Sequence, residues 1–302
     1  MTPFRLGTRG SPLALTQARM VADALAVAHG WNGDAIETVV IRTTGDRVQD
    51  RPLAEIGGKA LWTRELDRAL LGGEVDACVH SMKDVETVRP DAIAIAATLP
   101  RADVRDRLIG APSIGDIPRG ATVGTSSPRR RAQLLRLRPD LRVVSIRGNV
   151  DTRLAKLAAG EVDATLLAAA GLDRLGRPSV GAPVPTDVML PAPAQGAVGV
   201  EVRADDARAR SLVAAIDDAA THRCVLAERA LLAALRADCH SPVAALAALA
   251  GETLRLRAGL LSEDGTLEVC DALEGTGPEV GTALAARLLA DAPPAIRALF
   301  GP

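Results

Sequence analysis

Three times between residues 4 and 153, an apolar run ends in a turn that sets arginine beside serine, threonine or asparagine, and a helix pattern opens at once. The turns are Thr8-Arg9-Gly10-Ser11-Pro12, Gly124-Thr125-Ser126-Ser127-Pro128-Arg129-Arg130-Arg131 and Arg147-Gly148-Asn149-Val150-Asp151-Thr152-Arg153. A strand that feeds straight into a helix returns to its sheet as a parallel neighbour. Repeating that junction therefore predicts mostly parallel sheets with helices on both faces. Ser11 stands where it caps the first helix, with Pro12 at the first helical position.

The rhythm runs over the first two thirds of the chain. Strands are expected at 4–8, 35–42, 75–80 and 92–97, with helices at 12–28 and 59–71, the latter stopped by Gly72-Gly73. It restarts after Pro100 with strands at 122–124, 141–146 and 164–168 and helices at 129–137 and 150–159. A stretch carrying Pro178, Pro183, Pro185, Pro191 and Pro193 reads as a crossing between domains. A strand at 197–202, followed by a helix at 205–217, then returns to the first sheet and makes that domain discontinuous. Beyond it the pattern changes: a helix at 221–235, strands at 243–249, 254–261 and 267–273 around an Asp264-Gly265 hairpin turn, and a helix at 279–289. The fold class is α/β, two lobes with mixed sheets plus a small C-terminal α+β domain. Its boundaries are 1–99 with 197–217, then 100–196, then 218–302.

Composition narrows the function. Net charge is −1, and the chain holds two Phe, two Trp and no Tyr. A nucleic-acid binder needs a basic surface and aromatic stacking platforms, so the arginines point to a smaller anion. No apolar run of about 18 residues is present, which argues for a cytoplasmic chain without a membrane partner. Cys78, Cys224, Cys239 and Cys270 form no C-x-x-C pair, so neither a disulfide framework nor a structural metal site is expected. Cys78 and Cys224 sit on apolar stripes. Cys239 lies in Ala237-Asp238-Cys239-His240-Ser241-Pro242, a polar break where a thiol is accessible and can carry a covalent group.

At Arg129–Arg131 three cations open a helix and oppose its dipole, an arrangement that calls for an anion. Strand C-termini are where open α/β sheets bind ligands, and the three arginine turns all lie there. His80-Ser81-Met82-Lys83-Asp84-Val85 also ends a strand. Spacing alone leaves Lys83 and Asp84 open between a surface ion pair and a proton-handling carboxylate.

In their order along the chain these motifs resemble the porphobilinogen deaminase (hydroxymethylbilane synthase) family. Gly57-Gly58-Lys59, Ala170-Gly171-Leu172 with Arg174, Gln195-Gly196-Ala197 and Ala227-Glu228-Arg229-Ala230 extend the match over nearly the whole length. The resemblance implies an enzyme that joins four porphobilinogen molecules head to tail, releasing ammonia from each, in tetrapyrrole (haem) biosynthesis. It implies two lobes of the type II periplasmic-binding-protein kind, a monomer, and a site lining the cleft between the lobes. It also implies a dipyrromethane cofactor held by a thioether to Cys239, and no metal. Carried over position by position, Asp84 and Lys83 are catalytic. Ser81, Thr125, Ser127, Arg129 and Arg130 bind the cofactor, and Arg9, Ser11, Arg147, Arg153, Arg174, Gln195 and Lys59 bind substrate. The chain departs from the family at Ala237-Asp238, where Gly-Gly is usual, at Ala194, often Gly, at Glu86, often Pro, and at Trp62, usually Phe. A non-catalytic two-lobed binding protein for a polycarboxylate would share the architecture.

Overall fold

The computed structural model describes residues 3–42 and 63–300. Two compact units divide the chain: Met1–Ala102 with Ala197–His222, and Asp103–Gly196 with Arg223–Pro302.

The first unit is built on β1 (Phe4–Arg9), β2 (Ile36–Ile41), β3 (Ala77–Ser81), β4 (Ile93–Thr98) and a strand from far along the chain, here numbered last of the five. Helices α1 (Pro12–His29) and α2 (Arg64–Leu71) cover it. α1 begins as its sequence dictates, with the Ser11 hydroxyl accepting from Ala14 N at 3.3 Å and Pro12 at the first position. It ends at Gly30 with φ 62. The first three strands are parallel, and the late strand, Val198–Arg203, is antiparallel to both of its neighbours, β3 and β4.

The second unit repeats this plan. Its strands are β5 (Asp106–Ile109), β6 (Thr122–Gly124), β7 (Arg142–Val144), β8 (Ala164–Ala168) and β9 (Ala182–Pro183), so Val198–Arg203 becomes β10. The orders are β2-β1-β3-β10-β4 and β7-β6-β8-β5-β9. In each, three parallel strands are followed by one inserted antiparallel strand. These are mixed sheets of the two-lobed kind expected. Helices α3 (Pro128–Leu137), α4 (Val150–Ala158) and α5 (Ala169–Arg174) belong to the second unit, and α6 (Ala207–Ala214) follows β10 in the first. Strands β5 and β9 and helix α5 were not expected from the sequence.

The C-terminal elements are α7 (Ala219–Ala234), β11 (Val243–Ala250), β12 (Thr253–Leu261), β13 (Glu268–Gly275), α8 (Glu279–Asp291) and α9 (Pro294–Arg297). The three strands form an antiparallel meander whose inner face packs on Leu231, Leu235, Leu284 and Leu288. The expected start of this domain at 218 differs from the observed grouping. Residues 218–222 join the first unit, because Asp218 N donates to Thr98 O at 2.7 Å and Arg101 N to Thr221 Oγ1 at 3.0 Å. The rest shares a compact unit with 103–196. Ala245 N donates to Pro191 O at 3.1 Å, and Glu228 Oε1 on α7 accepts from Ala247 N at 2.7 Å while Oε2 accepts from Ala194 N.

Candidate active site

In the first unit, Arg9, Ser11, Gln17, His80, Ser81 and Asp84 line one pocket. β1 delivers Arg9, the α1 cap delivers Ser11, and β3 delivers His80 and Ser81. The Ser81 hydroxyl is fixed by Gln17, whose Nε2 donates to it at 2.7 Å and whose Oε1 accepts from it at 3.1 Å. A one-turn 3₁₀ helix, Met82–Asp84, then carries Lys83 and Asp84, of which Asp84 lines the pocket. Gly199 on β10 makes room for that turn, since a Cβ there would lie 2.1 Å from Met82 Sδ.

An ionic cluster backs the turn. His80 Nε2 lies 3.2 Å from Glu201 Oε2, close enough for an ion pair but without hydrogen-bond alignment. Arg89 binds Glu201 with two nitrogens, each at 2.8 Å, and also reaches Asp67 and Glu86. Burial pushes the Glu201 carboxyl up, but His80 and Arg89 outweigh it and hold it at about 2.

The second unit holds the arginine site. Ser127 caps α3, accepting from Arg130 N at 3.4 Å, and Thr125 Oγ1 accepts from Ser127 N at 3.2 Å. Arg129 and Arg130 are buried and share one carboxylate, Asp106 of β5. Arg130 grips it through Nε at 3.1 Å and Nη2 at 2.7 Å, and Arg129 through Nη2 at 2.9 Å. Burial raises Asp106, yet the two guanidiniums outweigh that and hold it far below the ordinary carboxylate range. Burial also pulls the Arg129 guanidinium down. Two cations against one carboxylate leave this cluster one positive charge in excess. The anion demanded by the helix start is thus partly internal, a role the sequence reading missed. Asp106 carries little signal in the sequence, lying in the charged run Asp103-Val104-Arg105-Asp106-Arg107.

Gln195 was expected to touch substrate. It is 1% exposed, and its Nε2 donates to Asp106 Oδ1 at 2.8 Å and Val104 O at 2.7 Å. Its amide nitrogen is thereby committed to the arginine cluster. Arg174 Nη2 donates to Gly196 O at 2.7 Å, and Arg153 Nε to Gly148 O at 3.0 Å. Arg147 and Arg153 flank the α4 cap, where Asn149 Oδ1 accepts from Thr152 N at 2.9 Å. Lys59 lies outside the described residues.

Among the cysteines, Cys78 and Cys224 are buried while Cys239 and Cys270 are exposed. Partial desolvation of its sulfur and the neighbouring Glu268 push the Cys270 thiol up to about 12. The loop before Cys239 does not need the glycines usual in the family. α7 ends with Arg236 at φ 52, its N–H donating to Ala233 O at 3.1 Å and that of Ala237 to Leu232 O at 2.9 Å. This is a Schellman ending with arginine in the left-handed position. Ala237 and Asp238 keep negative φ, and the Asp238 side chain closes the next turn by accepting from His240 N at 2.8 Å.

Residues 4–211 match the family described as "Porphobilinogen deaminase, dipyromethane cofactor binding domain", and residues 222–290 match "Porphobilinogen deaminase, C-terminal domain". The chain belongs to the porphobilinogen deaminase family. Curated relatives agree. The porphobilinogen deaminase of Sphingopyxis alaskensis is 59% identical, covering 99% of this chain and 96% of that protein. That of Paracoccus denitrificans is 54% identical, covering 96% and 95%. Among solved structures, a periplasmic binding protein from Salmonella typhimurium is 12% identical with TM-score 0.40, covering 74% of this chain and 94% of that one. Family membership makes the chain a transferase of tetrapyrrole biosynthesis with a dipyrromethane cofactor and a small-molecule substrate. The non-catalytic alternative is not favoured.

The residues fit such a cofactor. Arg129 Nε and Arg174 Nε are buried without a hydrogen-bond partner among the described residues, so donors for carboxylates are in place. Cys239 supplies an exposed thiol.

Proposed function

We propose that Asp84 is the carboxylate that handles the cation of this reaction and that Cys239 carries the primer. The observation behind the first assignment is the pocket in which Asp84 meets Arg9 and Ser11. Each porphobilinogen carries an acetate and a propionate, and Arg9, Ser11, Arg147, Arg153 and Arg174 are suited to hold them as forks and donors. As ammonia leaves the aminomethyl carbon, positive charge spreads over the pyrrole ring. A fixed carboxylate at Asp84 lowers the energy of that charge and accepts the α-proton lost when the new C–C bond forms. Lys83 precedes it on the same turn and offers a further cation to the substrate carboxylates. Four such steps and one hydrolysis consume four substrates and one water and give hydroxymethylbilane and four ammonia. When bound, the dipyrromethane supplies the pyrrole α-carbon to which the first substrate is joined. Ser81, Thr125, Ser127, Arg129 and Arg130 orient its carboxylates, and Gln195 acts through Asp106.

The same reading takes the chain to be a cytoplasmic monomer without a nucleic-acid or membrane partner. No helix among the described residues is long and apolar enough to cross a membrane. Intact-mass measurement tests the tether. Purified protein should carry the added mass of two linked pyrroles, and Cys239→Ser should carry none. An adduct that survives in Cys239→Ser, or that sits on Cys270, overturns the assignment.

A further inference from the structure

The hairpin turn between β12 and β13 rests on α3, the helix that carries Arg129 and Arg130. Gly265, buried at φ 72, makes the contact. A Cβ at this position would lie 2.3 Å from Ala132 O, 2.7 Å from Arg136 N and 3.1 Å from Leu135 Cβ. Backbone meets backbone here, so no flexible side chain can give way. The turn is braced from within. Asp264 Oδ1 accepts from Ser262 Oγ at 2.6 Å, from Thr266 Oγ1 at 2.9 Å and from Thr266 N at 3.0 Å. At its foot, Glu268 pairs with Arg136 in the last turn of α3.

The same end of this sheet carries the Cys239 loop. Val243 pairs with Leu260, and Leu261 N donates to Pro242 O at 3.1 Å. Pro242 is three residues from Cys239, and Leu261 is the last residue before the turn. One short segment is therefore stitched both to the attachment loop and to the arginine helix.

We propose that the 262–267 turn is a positioning element for cofactor loading: its seat on α3 sets the reach from the Cys239 thiol to the carboxylate-holding Arg129 and Arg130. This rests on the assignment of Cys239 as tether and of the arginines as carboxylate holders. Loading from porphobilinogen consumes two molecules. The Cys239 sulfur bonds to the aminomethyl carbon of the first, and the thiol proton leaves with the amine as ammonia. The α-carbon of that ring then displaces ammonia from the second, losing its proton. Both steps need a ring whose carboxylates are already held at a fixed distance from the sulfur.

A Cβ on Gly265 must retreat by about 1 Å to reach an ordinary C···O contact. Displacement on that scale can slow a positioned reaction by about 100-fold. Gly251, in the β11–β12 turn of the same sheet, provides the control. It has φ 62, and a Cβ there meets nothing within 4 Å. Alanine strains the backbone at both glycines but clashes only at Gly265.

The experiment adds porphobilinogen to full-length apoprotein and follows adduct formation by intact mass. Gly251→Ala should load at the wild-type rate despite a lower melting temperature, and Gly265→Ala should load about 100-fold more slowly. Glu268→Lys repels Arg136 without touching the backbone and should slow loading roughly two- to fivefold at low salt. The charge swap Glu268→Lys/Arg136→Glu should restore it. This pair keeps the test open should Gly265→Ala not fold. Wild-type loading by folded Gly265→Ala, or a charge swap that restores nothing, overturns the positioning role. Failure of wild-type apoprotein to gain any adduct, or gain by Cys239→Ser, instead removes the tether assignment and the proposal with it.

Discussion

Both lobes insert one antiparallel strand beside their third parallel strand, and each inserted strand carries a buried carboxylate in opposite company. Glu201 on β10 belongs to a cluster where, among the described residues, the Arg89 guanidinium and the His80 imidazole face three carboxylates, Asp67, Glu86 and Glu201. Asp106 on β5 is shared by two guanidiniums and receives Gln195 as well. Among the described residues, one scaffold thus places a carboxylate-rich cluster in the lobe that bears Asp84 and an arginine-rich one in the lobe that bears the arginine helix. Strand order fixes where the buried charge goes, and its neighbours fix the sign left over.

The comparison breaks first on stability. Asp106→Ala strands two buried guanidiniums and should cost about 3–5 kcal/mol. Glu201→Ala leaves Arg89 with Asp67 and Glu86, so its cost should be nearer ~1–3 kcal/mol. Urea unfolding decides, and equal losses would mean that the two clusters do not differ in the way described.

Activity separates them next. Asp84→Asn should load cofactor normally yet lose at least ~100-fold in kcat, about 2.7 kcal/mol. Arg130→Leu should fail earlier, at loading, as read by intact mass. Fast single-turnover ammonia release from loaded Asp84→Asn would assign the chemistry to another group.

Acid sharpens the contrast further. Both carboxylates have lowered folded pKa values, so each adds stability that is complete above the unfolded value of about 4 and is lost as pH falls through the folded one. For Glu201 that window runs down to about 2, whereas Asp106 stays ionised to more acid pH still. Hydrogen exchange between pH 4 and 2 should therefore open β10 before β5, and Glu201→Gln should abolish the lobe 1 step.

The smallest effect concerns strain beside the second cluster. Ala194 sits at φ 61, held there by its N–H to Glu228, directly before Gln195. Ala194→Gly should stabilise the protein by about 0.5–1 kcal/mol in thermal unfolding, since glycine adopts this conformation freely.

Elements with a local signature were legible in the sequence. The capped start of α1, the strand into Ser81 and the three C-terminal strands with their Asp264-Gly265 turn announce themselves through caps, apolar runs and turn residues. β5 did not, because Asp106-Arg107-Leu108-Ile109 is short and opens with two charges that only their partners make buriable. The site divides in the same way. Arg129 and Arg130 were marked as needing an anion by their place at a helix start. That Asp106 supplies part of it, and that Gln195 serves Asp106, depends on partners 23, 24 and 89 positions away in sequence. The Ala237-Asp238 departure is absorbed because the left-handed residue is Arg236, one position earlier than the glycines of the family would suggest.

The inserted strands also set an order of events during synthesis. β3 and β4 flank β10, yet β10 begins at Val198, about 100 residues after β4 ends. At roughly 5–20 residues per second the ribosome needs about 5–20 s to supply it. Through that interval the first lobe has two open strand edges, a ready surface for a chaperone. The second sheet draws all five of its strands from residues 106–183, and its inserted strand β5 waits only about 55 residues for β8, roughly 3–11 s. The lobe that begins first is the one that waits longer.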